Sequence, residues 1–497
     1  MNGIESMPET RNILLIALAV VAFMLWMQWQ QDYASSARDN KPDNTNAGSE
    51  NAVAGEMADV RSPASDELPD ANAAQMADAA ELPDTASLPD TTANDSASAQ
   101  VRADDLIRVR TDVLDISIDP QGGNIVGARL LDYPVEATTP DIKVQLMNNQ
   151  AGEYYVAQTG LLAAEQPAPT HLQTFSSERT NYELADNADE VVVRLRWSED
   201  GISAEKIYTF RRDSYRIDMQ QILRNNSASD WQGFRYAQLQ RSKPKPVGGG
   251  FANTSRYSFK GASYRTEAEH FDKLKFDKFA DKPLSVQSSN SWVGLSEHYF
   301  LSAFIPPAAS NERLQTTITG TPGNERYLIR TQSPAVRVAP GSQQEFPLQL
   351  FVGPKDHDRL DGLAPGLELT IDYGIFTIFS KPLFWALDKI HSFIGNWGWS
   401  IVILTILIKL AFFKLTEAQY RSMARMRKLQ PRVEKLKERY GDDRQKMSQA
   451  MMELYRTEKV NPLGGCLPVL VQIPIFIALY WVLLESVELR QAPFFGW

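Results

Sequence analysis

Two stretches of this chain are apolar and long enough to cross a bilayer, and they flank a strongly charged segment. Phe393 to Leu415 reads FIGNWGWSIVILTILIKLAFFKL, and Leu467 to Leu484 reads LPVLVQIPIFIALYWVLL. A spanning helix needs about 20 residues. Helices and closed barrels alone satisfy their own backbone inside hydrocarbon, and an uninterrupted apolar run is a helix pattern. Both stretches therefore read as transmembrane helices, and the rest of the chain must be organised around that constraint.

Lys409 stands inside the first of these spans. A cation at the centre of a span costs roughly 2.5–3.5 kcal/mol, so an intramembrane charge is by default a candidate site. Thr405 lies one turn earlier on the same helix face. The bland alternative is snorkelling: Lys409 is six residues from Leu415, a distance of about 9 Å that a lysine stem covers in large part. In the second span Gln472 lies six residues from Cys466, at a similar expected depth. That coincidence favours a shared polar site, although a lone glutamine often only bonds a neighbouring helix.

Composition narrows the classes. Net charge is −10 over 497 residues, a length that implies more than one domain. Residues 32–100 hold 14 Asp+Glu against 3 Lys+Arg, so the rest of the chain is nearly neutral and carries no nucleic-acid-binding basic surface. Cys466 is the single cysteine, which rules out an internal disulfide and a cysteine zinc site. The five histidines are scattered at 171, 270, 298, 357 and 391. No P-loop or dinucleotide fingerprint is present, and Gly248-Gly249-Gly250 reads as a loop. No catalytic residue, metal or cofactor is expected.

The chain divides by pattern. Residues 1–11 precede an apolar run, Ile13 to Met27, within a signal anchor over 12–30. Its exit-edge Trp26 and Trp29 suit the interfacial belt. Residues 31–100 form an acidic Ala/Asp/Ser/Pro linker that buries too little apolar surface to fold. Its three Leu-Pro-Asp copies, at 68–70, 82–84 and 88–90, read as drift. Residues 101–371 read as β: Val191, Val193, Leu195 and Trp197 alternate with polar residues, as do Tyr215, Ile217 and Met219. Pro120-Gln121-Gly122-Gly123, Asn225-Asn226 and Pro322-Gly323-Asn324 supply turns. The expected fold is a large all-β two-sheet domain.

Residues 372–392 read as an amphipathic helix in the membrane interface, followed by the span 393–415. Residues 416–461 carry 12 Lys+Arg against 7 Asp+Glu. Met423, Met426, Leu429, Val433, Leu436 and Tyr440 step by three and four. Gly441 ends that helix and Asp442 or Asp443 caps the next, so the segment reads as an antiparallel helical hairpin, with Pro431 expected to kink or divide its first arm. Short basic loops stay cytoplasmic. The β domain is then extracytoplasmic, the N-terminus cytoplasmic, the second span 462–485, and residues 486–497 a periplasmic segment.

From about residue 372 to 493 the chain resembles the YidC family of bacterial membrane protein insertases, in its Gram-negative form. The matching stretches are 391–398 (HSFIGNWG), 415–420 (LTEAQY), 461–466 (NPLGGC) and 486–493 (SVELRQAP). The resemblance implies insertion and folding of nascent membrane proteins, alone or with the Sec translocon. It implies a hydrophilic groove bearing one positive charge: Lys409 takes that position, and Thr405 and Gln472 match polar groove positions. It implies a cytoplasmic coiled coil needed for insertion, with Tyr420 near its start and Asp442 and Asp443 at its tip. The β domain is similar to the family's supersandwich, which contacts SecDF in relatives. The ribosome and the lipid bilayer are further implied partners, in the bacterial inner membrane. Two departures stand out. The family core has five spanning helices after the β domain and this chain presents two, so a C-terminal truncation is expected. Lys414 and Phe413 stand where relatives commonly have proline and tyrosine.

Two other readings compete: a membrane-anchored periplasmic carbohydrate-binding or epimerase domain, and a transporter subunit using Lys409 as its site. Sugar binding by residues 101–365 would support the first. Inverted repeats would support the second, and the sequence has none.

Overall fold

The alternating strands lie where the period-two pattern puts them. In the computed structural model, which describes residues 105–150, 152–244, 258–440, 443–458 and 467–495, Val193, Leu195 and Trp197 are buried along the strand Glu190–Glu199. Ile217 and Met219 are buried along Arg216–Asn225. The sequence expectations for the signal anchor, the acidic linker, Gly248–Gly250, Asp442 and Cys466 fall outside the described residues.

The β strands form two sheets, of eleven and nine strands. In the larger, Trp231–Ser242 is central, pairing antiparallel with Tyr155–Ala163 on one side and Arg326–Gln332 on the other. In the smaller, Glu190–Glu199, Ile202–Arg211, Arg216–Asn225 and Gln343–Pro354 pair in that order, all antiparallel. The inner faces meet as a sandwich: Trp231 of one sheet meets Phe346 of the other edge-on at 6.4 Å. Period-two burial on each strand fixes this register, because a one-residue slip would expose the whole inward row.

Several charged side chains break the apolar pattern of that core, and two places show how. Lys206 occupies an inward position on Ile202–Arg211 and is fully buried. Its amine donates to Thr159 O at 2.6 Å and to Gly122 O. Tyr208, two residues on, donates to Gly123 O. The turn these groups grip needs glycine: Gly122 and Gly123 have φ of +75° and +62°, and a Cβ on Gly122 would stand 2.0 Å from His171 O. Burial pushes the Lys206 ammonium down to about 7. Burial, with Lys206 and Arg330 nearby, pushes His171 down to about 3. The second exception is Arg235, which pairs with Glu312 at 2.5 Å, both side chains almost wholly inaccessible. Glu312 also accepts from Ser310 and Thr331, each at 2.6 Å, so its lone pairs are well used.

The chain separates into two compact units. The β unit runs to Asp372 and takes back Glu485–Gln491; the helical unit holds Tyr373–Leu484 and the residues from Ala492 on. Helix α1, His357–Leu360, belongs to the β unit and is capped by Asp356 through the amides of Asp358 and Arg359.

The helical unit begins with α2, Thr377–Ile394. It buries Ser380, Phe384 and Leu387 and exposes Ile378, Trp385 and Phe393. Gly395, at φ +70°, ends it. Helix α3, Trp397–Ala411, starts at Asn396, whose side chain accepts from Trp399 N at 3.1 Å. It is shorter than the apolar run: the chain bends by 61° at Phe412 into α4, Phe413–Tyr440. Helix α4 runs through Pro431 without being divided. A proline there forfeits one ladder bond, and Leu429 close by is buried. Asp443 caps α5, Arg444–Thr457, by accepting from Lys446 N at 3.0 Å. Arg432 on α4 forms an ion pair with Glu458, just past the end of α5. Helix α6, Leu467–Glu485, contains Pro474. Among the described residues, the stretch Pro468–Glu485 of α6 is long and apolar enough to cross a membrane, and α3 with α4 passes the same test only as a bent pair.

The folded β unit holds the Lys206 proton less tightly than the unfolded chain, whose lysines titrate near 10.5. The unfolded state therefore binds more protons above pH 7, and stability rises with pH across that window. The urea midpoint of the β unit in the full chain is expected to climb from pH 7 to about 9, and to climb less in Lys206→Met. Glu312→Ala leaves Arg235 as a buried, uncompensated charge and is expected to destabilise the unit by about 3–5 kcal/mol in the same titration.

Candidate functional site

The helical unit is held by small, specific contacts. Ser380 on α2 donates to Ala478 O on α6 at 3.2 Å, fully buried. Gly398 on α3 faces Phe494, whose ring lies 2.1 Å from where a Cβ would stand. The Asn396 side chain donates to Pro493 O at 3.3 Å, and Trp399 meets Phe494 and Phe495 edge-on. Serine and glycine let helices approach closely where no hydrophobic force drives them together.

This framework places the candidate polar residues. Lys409 is in the last turn of α3 and solvent-exposed. Its ammonium lies 4.9 Å from the centre of the Phe476 ring on α6. Gln472 is one turn before Phe476, hence on the same face of α6. Its amide donates to Thr416 Oγ1 at 3.3 Å, and Thr416 in turn donates to Phe412 O at 3.0 Å. Thr405 sits one turn before Lys409 and is half-buried. The two polar stripes are thus brought to facing helices, with Lys409 and Gln472 meeting neighbouring groups rather than each other.

The electrostatics favour a cation here. Helix ends leave carbonyls unpaired, and a positive charge in the last turn is worth about 0.3–1 kcal/mol. A ring face under the ammonium adds roughly 0.5–2 kcal/mol depending on solvation. Among the described residues no carboxylate stands within ion-pair distance of Lys409. No group of three or more His, Cys, Asp or Glu that would hold a metal occurs among them either. The arrangement offers a cation, an amide and a hydroxyl along apolar helices, and no nucleophile paired with a base.

Sequence reasoning missed two members. Thr416 is seven residues past Lys409, and its spacing points to the same helix face. The bend at Phe412 is what carries it to Gln472, and no local signal marks that bend. Phe476 reads as one more lipid-facing aromatic. Of the charged segment, Tyr420 is exposed, Asp443 is the cap of α5, and Lys414 lies 3.5 Å from Glu417.

Comparison with known proteins spans almost the whole chain. A family model described as the YidC periplasmic domain matches residues 106–386, and one described as the 60Kd inner membrane protein matches 389–497. A membrane protein insertase YidC from Stutzerimonas stutzeri is 43% identical over 98% of this chain and 84% of its own length. One from Thioalkalivibrio sulfidiphilus is 42% identical, over 99% of this chain and 84% of its own. One from Methylococcus capsulatus is 48% identical over 79% and 71%. Among solved structures, a galactose mutarotase-like protein from Lactobacillus casei covers 50% of this chain and 99% of its own, at 8% identity and a TM-score of 0.34.

The Gln472–Thr416 bond is open to a double-mutant cycle. Thr416→Val and Gln472→Leu, singly and together, are expected to couple by about 0.6 kcal/mol and at most about 1.7, read from reversible unfolding in mixed micelles. A coupling of zero would mean that the two side chains do not meet.

Proposed function

This chain belongs to the YidC family of membrane protein insertases, and we propose that it inserts its clients along the polar faces of α3 and α6. It is an inner-membrane protein with a periplasmic domain, its substrates are nascent membrane proteins, and its role is not enzymatic. A carbohydrate module or a transporter subunit is not favoured by relatives that match along nearly the whole chain. The observation that carries the local reading is Lys409 over Phe476, one turn from Gln472, between two apolar helices.

The mechanism follows from solvation. A polar client segment entering dry hydrocarbon loses its water, at about 2.5–3.5 kcal/mol for each charged residue at mid-depth. A hydrated groove beside Lys409, Thr405 and Gln472 shortens the dry path, and the unneutralised ammonium attracts acidic residues of the client. The greasy flank of α6, where Ile473 and Ile477 are exposed, accepts the apolar span as it moves into lipid. No bond is made or broken, and no cofactor takes part.

The finer arrangement belongs to the same proposal. The protein is multi-pass, with its N-terminus in the cytoplasm and the β unit built as a supersandwich. Helix α2 lies in the periplasmic interface. Helices α4 and α5 form a basic cytoplasmic hairpin, with Tyr420 near its base and Asp442 and Asp443 at its tip, where clients arrive from the ribosome. The Sec translocon and SecDF are working partners.

A photoreactive residue replacing Thr405 is expected to crosslink a single-span nascent protein displayed on stalled ribosomes in native membranes. The same residue replacing Leu407, on the opposite side of α3, is expected not to. Lys409→Leu is expected to slow insertion of clients with acidic translocated segments several-fold, and Lys409→Arg to preserve it. Equal crosslinking at both positions would remove the groove from the mechanism.

A further inference from the structure

The first half of α4 is far more basic than the segment that follows it. Residues 413–430 hold five basic side chains against one acid, Glu417, whereas residues 431–461 hold eight against six. Four of the five share one face. Lys414, Arg421, Arg425 and Lys428 are spaced by seven, four and three residues, which confines them to an arc of about 60° at 3.6 residues per turn. All four are exposed. Glu417 answers the first two, at 3.5 Å from Lys414 and 2.6 Å from Arg421. Among the described residues Arg425 and Lys428 meet no carboxylate. The later half differs: acids are interleaved with its bases, and Arg432 pairs with Glu458.

The place of this stripe beside α3 is a second observation. Helix α3 has 15 residues, a length of about 22 Å against a hydrocarbon core of about 30 Å. A span through α3 therefore draws on the apolar residues at the bend, Phe412, Phe413 and Leu415, which sets the start of α4 at the membrane boundary. The bend is 61°. With α3 along the bilayer normal, α4 climbs only about 0.7 Å per residue, or about 11 Å from Phe413 to Lys428. A headgroup layer is about 5–8 Å thick, and the field of a charged surface reaches about 8 Å beyond it. All four bases lie within that reach. The adjoining face suits the same place. Phe413 and Tyr420, seven residues apart, are exposed aromatics, and such rings settle at headgroup level.

We propose that the stripe Lys414, Arg421, Arg425 and Lys428 is a docking surface for anionic phospholipid headgroups in the leaflet at the end of α3. The inference rests on the reading above in which α3 crosses the membrane. Arginine forks match phosphate oxygens two at a time, and lysine adds a compact point charge. A cluster of four or more bases immediately beyond a span is the size of patch that an acidic leaflet attracts. A ribonucleic acid offers the same phosphate oxygens, but it is met from the aqueous side. The part of α4 that reaches farthest into water is the part whose bases are interleaved with acids. Docking of the stripe fixes the tilt of the first half of α4 against the leaflet, and a zwitterionic leaflet leaves it free to lift.

The test uses the full chain in vesicles, with Cys466→Ser and a nitroxide on Ala424→Cys, an exposed position beside the stripe. Replacing a third of the phosphatidylcholine by phosphatidylglycerol is expected to lower collision of the label with a water-soluble nickel complex several-fold and to raise collision with oxygen. Molar salt is expected to reverse the change. Arg421→Gln, Arg425→Gln and Lys428→Gln together are expected to abolish it. Lys435→Gln, Lys437→Gln and Arg439→Gln together, which remove the same charge farther along α4, are expected to leave it. Equal collision rates in the two lipids, or equal effects of the two triple variants, would overturn the stripe. So would a lipid-independent label with loss of binding to empty ribosomes in the first triple variant, which would assign the stripe to RNA phosphate. A second label, on Ile406→Cys in α3, is expected to collide with oxygen and not with nickel in both lipids. Nickel access there would overturn the membrane-crossing reading of α3, whereas a protected Ile406→Cys label with a lipid-independent Ala424→Cys label overturns the stripe alone.

Discussion

A charge in an apolar span must be taken up by something, and the helical unit is arranged around that requirement. Lys409 has no carboxylate partner among the described residues. What it has is the end of its own helix, a ring face on α6, and exposure. Each of these stabilises a cation modestly, and together they offset much of what burial in hydrocarbon would cost. They do so without an ion pair to a carboxylate among the described residues. The bend at Phe412 serves the same end. It stops α3 one turn after Thr405–Lys409 and brings Thr416 to Gln472, so the polar groups of two helices gather in one place.

The β unit solves the opposite problem. Several of its buried charges are held by more than one partner. Glu312 collects three donors around Arg235, and Lys206 is spent on two carbonyls. Sheets make this possible because neighbouring strands hold backbone carbonyls and side chains at fixed spacing. Charge held by several partners in one unit and an exposed cation in the other meet different physical demands.

Much of this was legible in the residues. Period-two alternation located Glu190–Glu199 and Arg216–Asn225, because a half-buried strand cannot hide its pattern. Apolar length located the span in α6. The cap at Asp443 and the candidates Lys409, Thr405 and Gln472 were readable because charge and amide are conspicuous in hydrocarbon. Thr416 and Phe476 were not, since a threonine at a helix start and a phenylalanine in a span are ordinary. Pro431 reads as a kink or a division, and the helix runs through it undivided, absorbing the loss of one bond.

The sequence by itself determined the membrane attachment, the two-sheet character of the large domain, the place of a cation within an apolar stretch and the family. These follow from composition and period, which are local properties. Tertiary structure alone decided where α3 ends, which ring Lys409 meets, that Lys206 lies inside the sandwich, and that residues 485–491 return to the β unit. Each depends on groups far apart in the chain arriving within a few ångströms, as Lys355 and Glu485 do. No window along the sequence contains both partners, so no local pattern announces them.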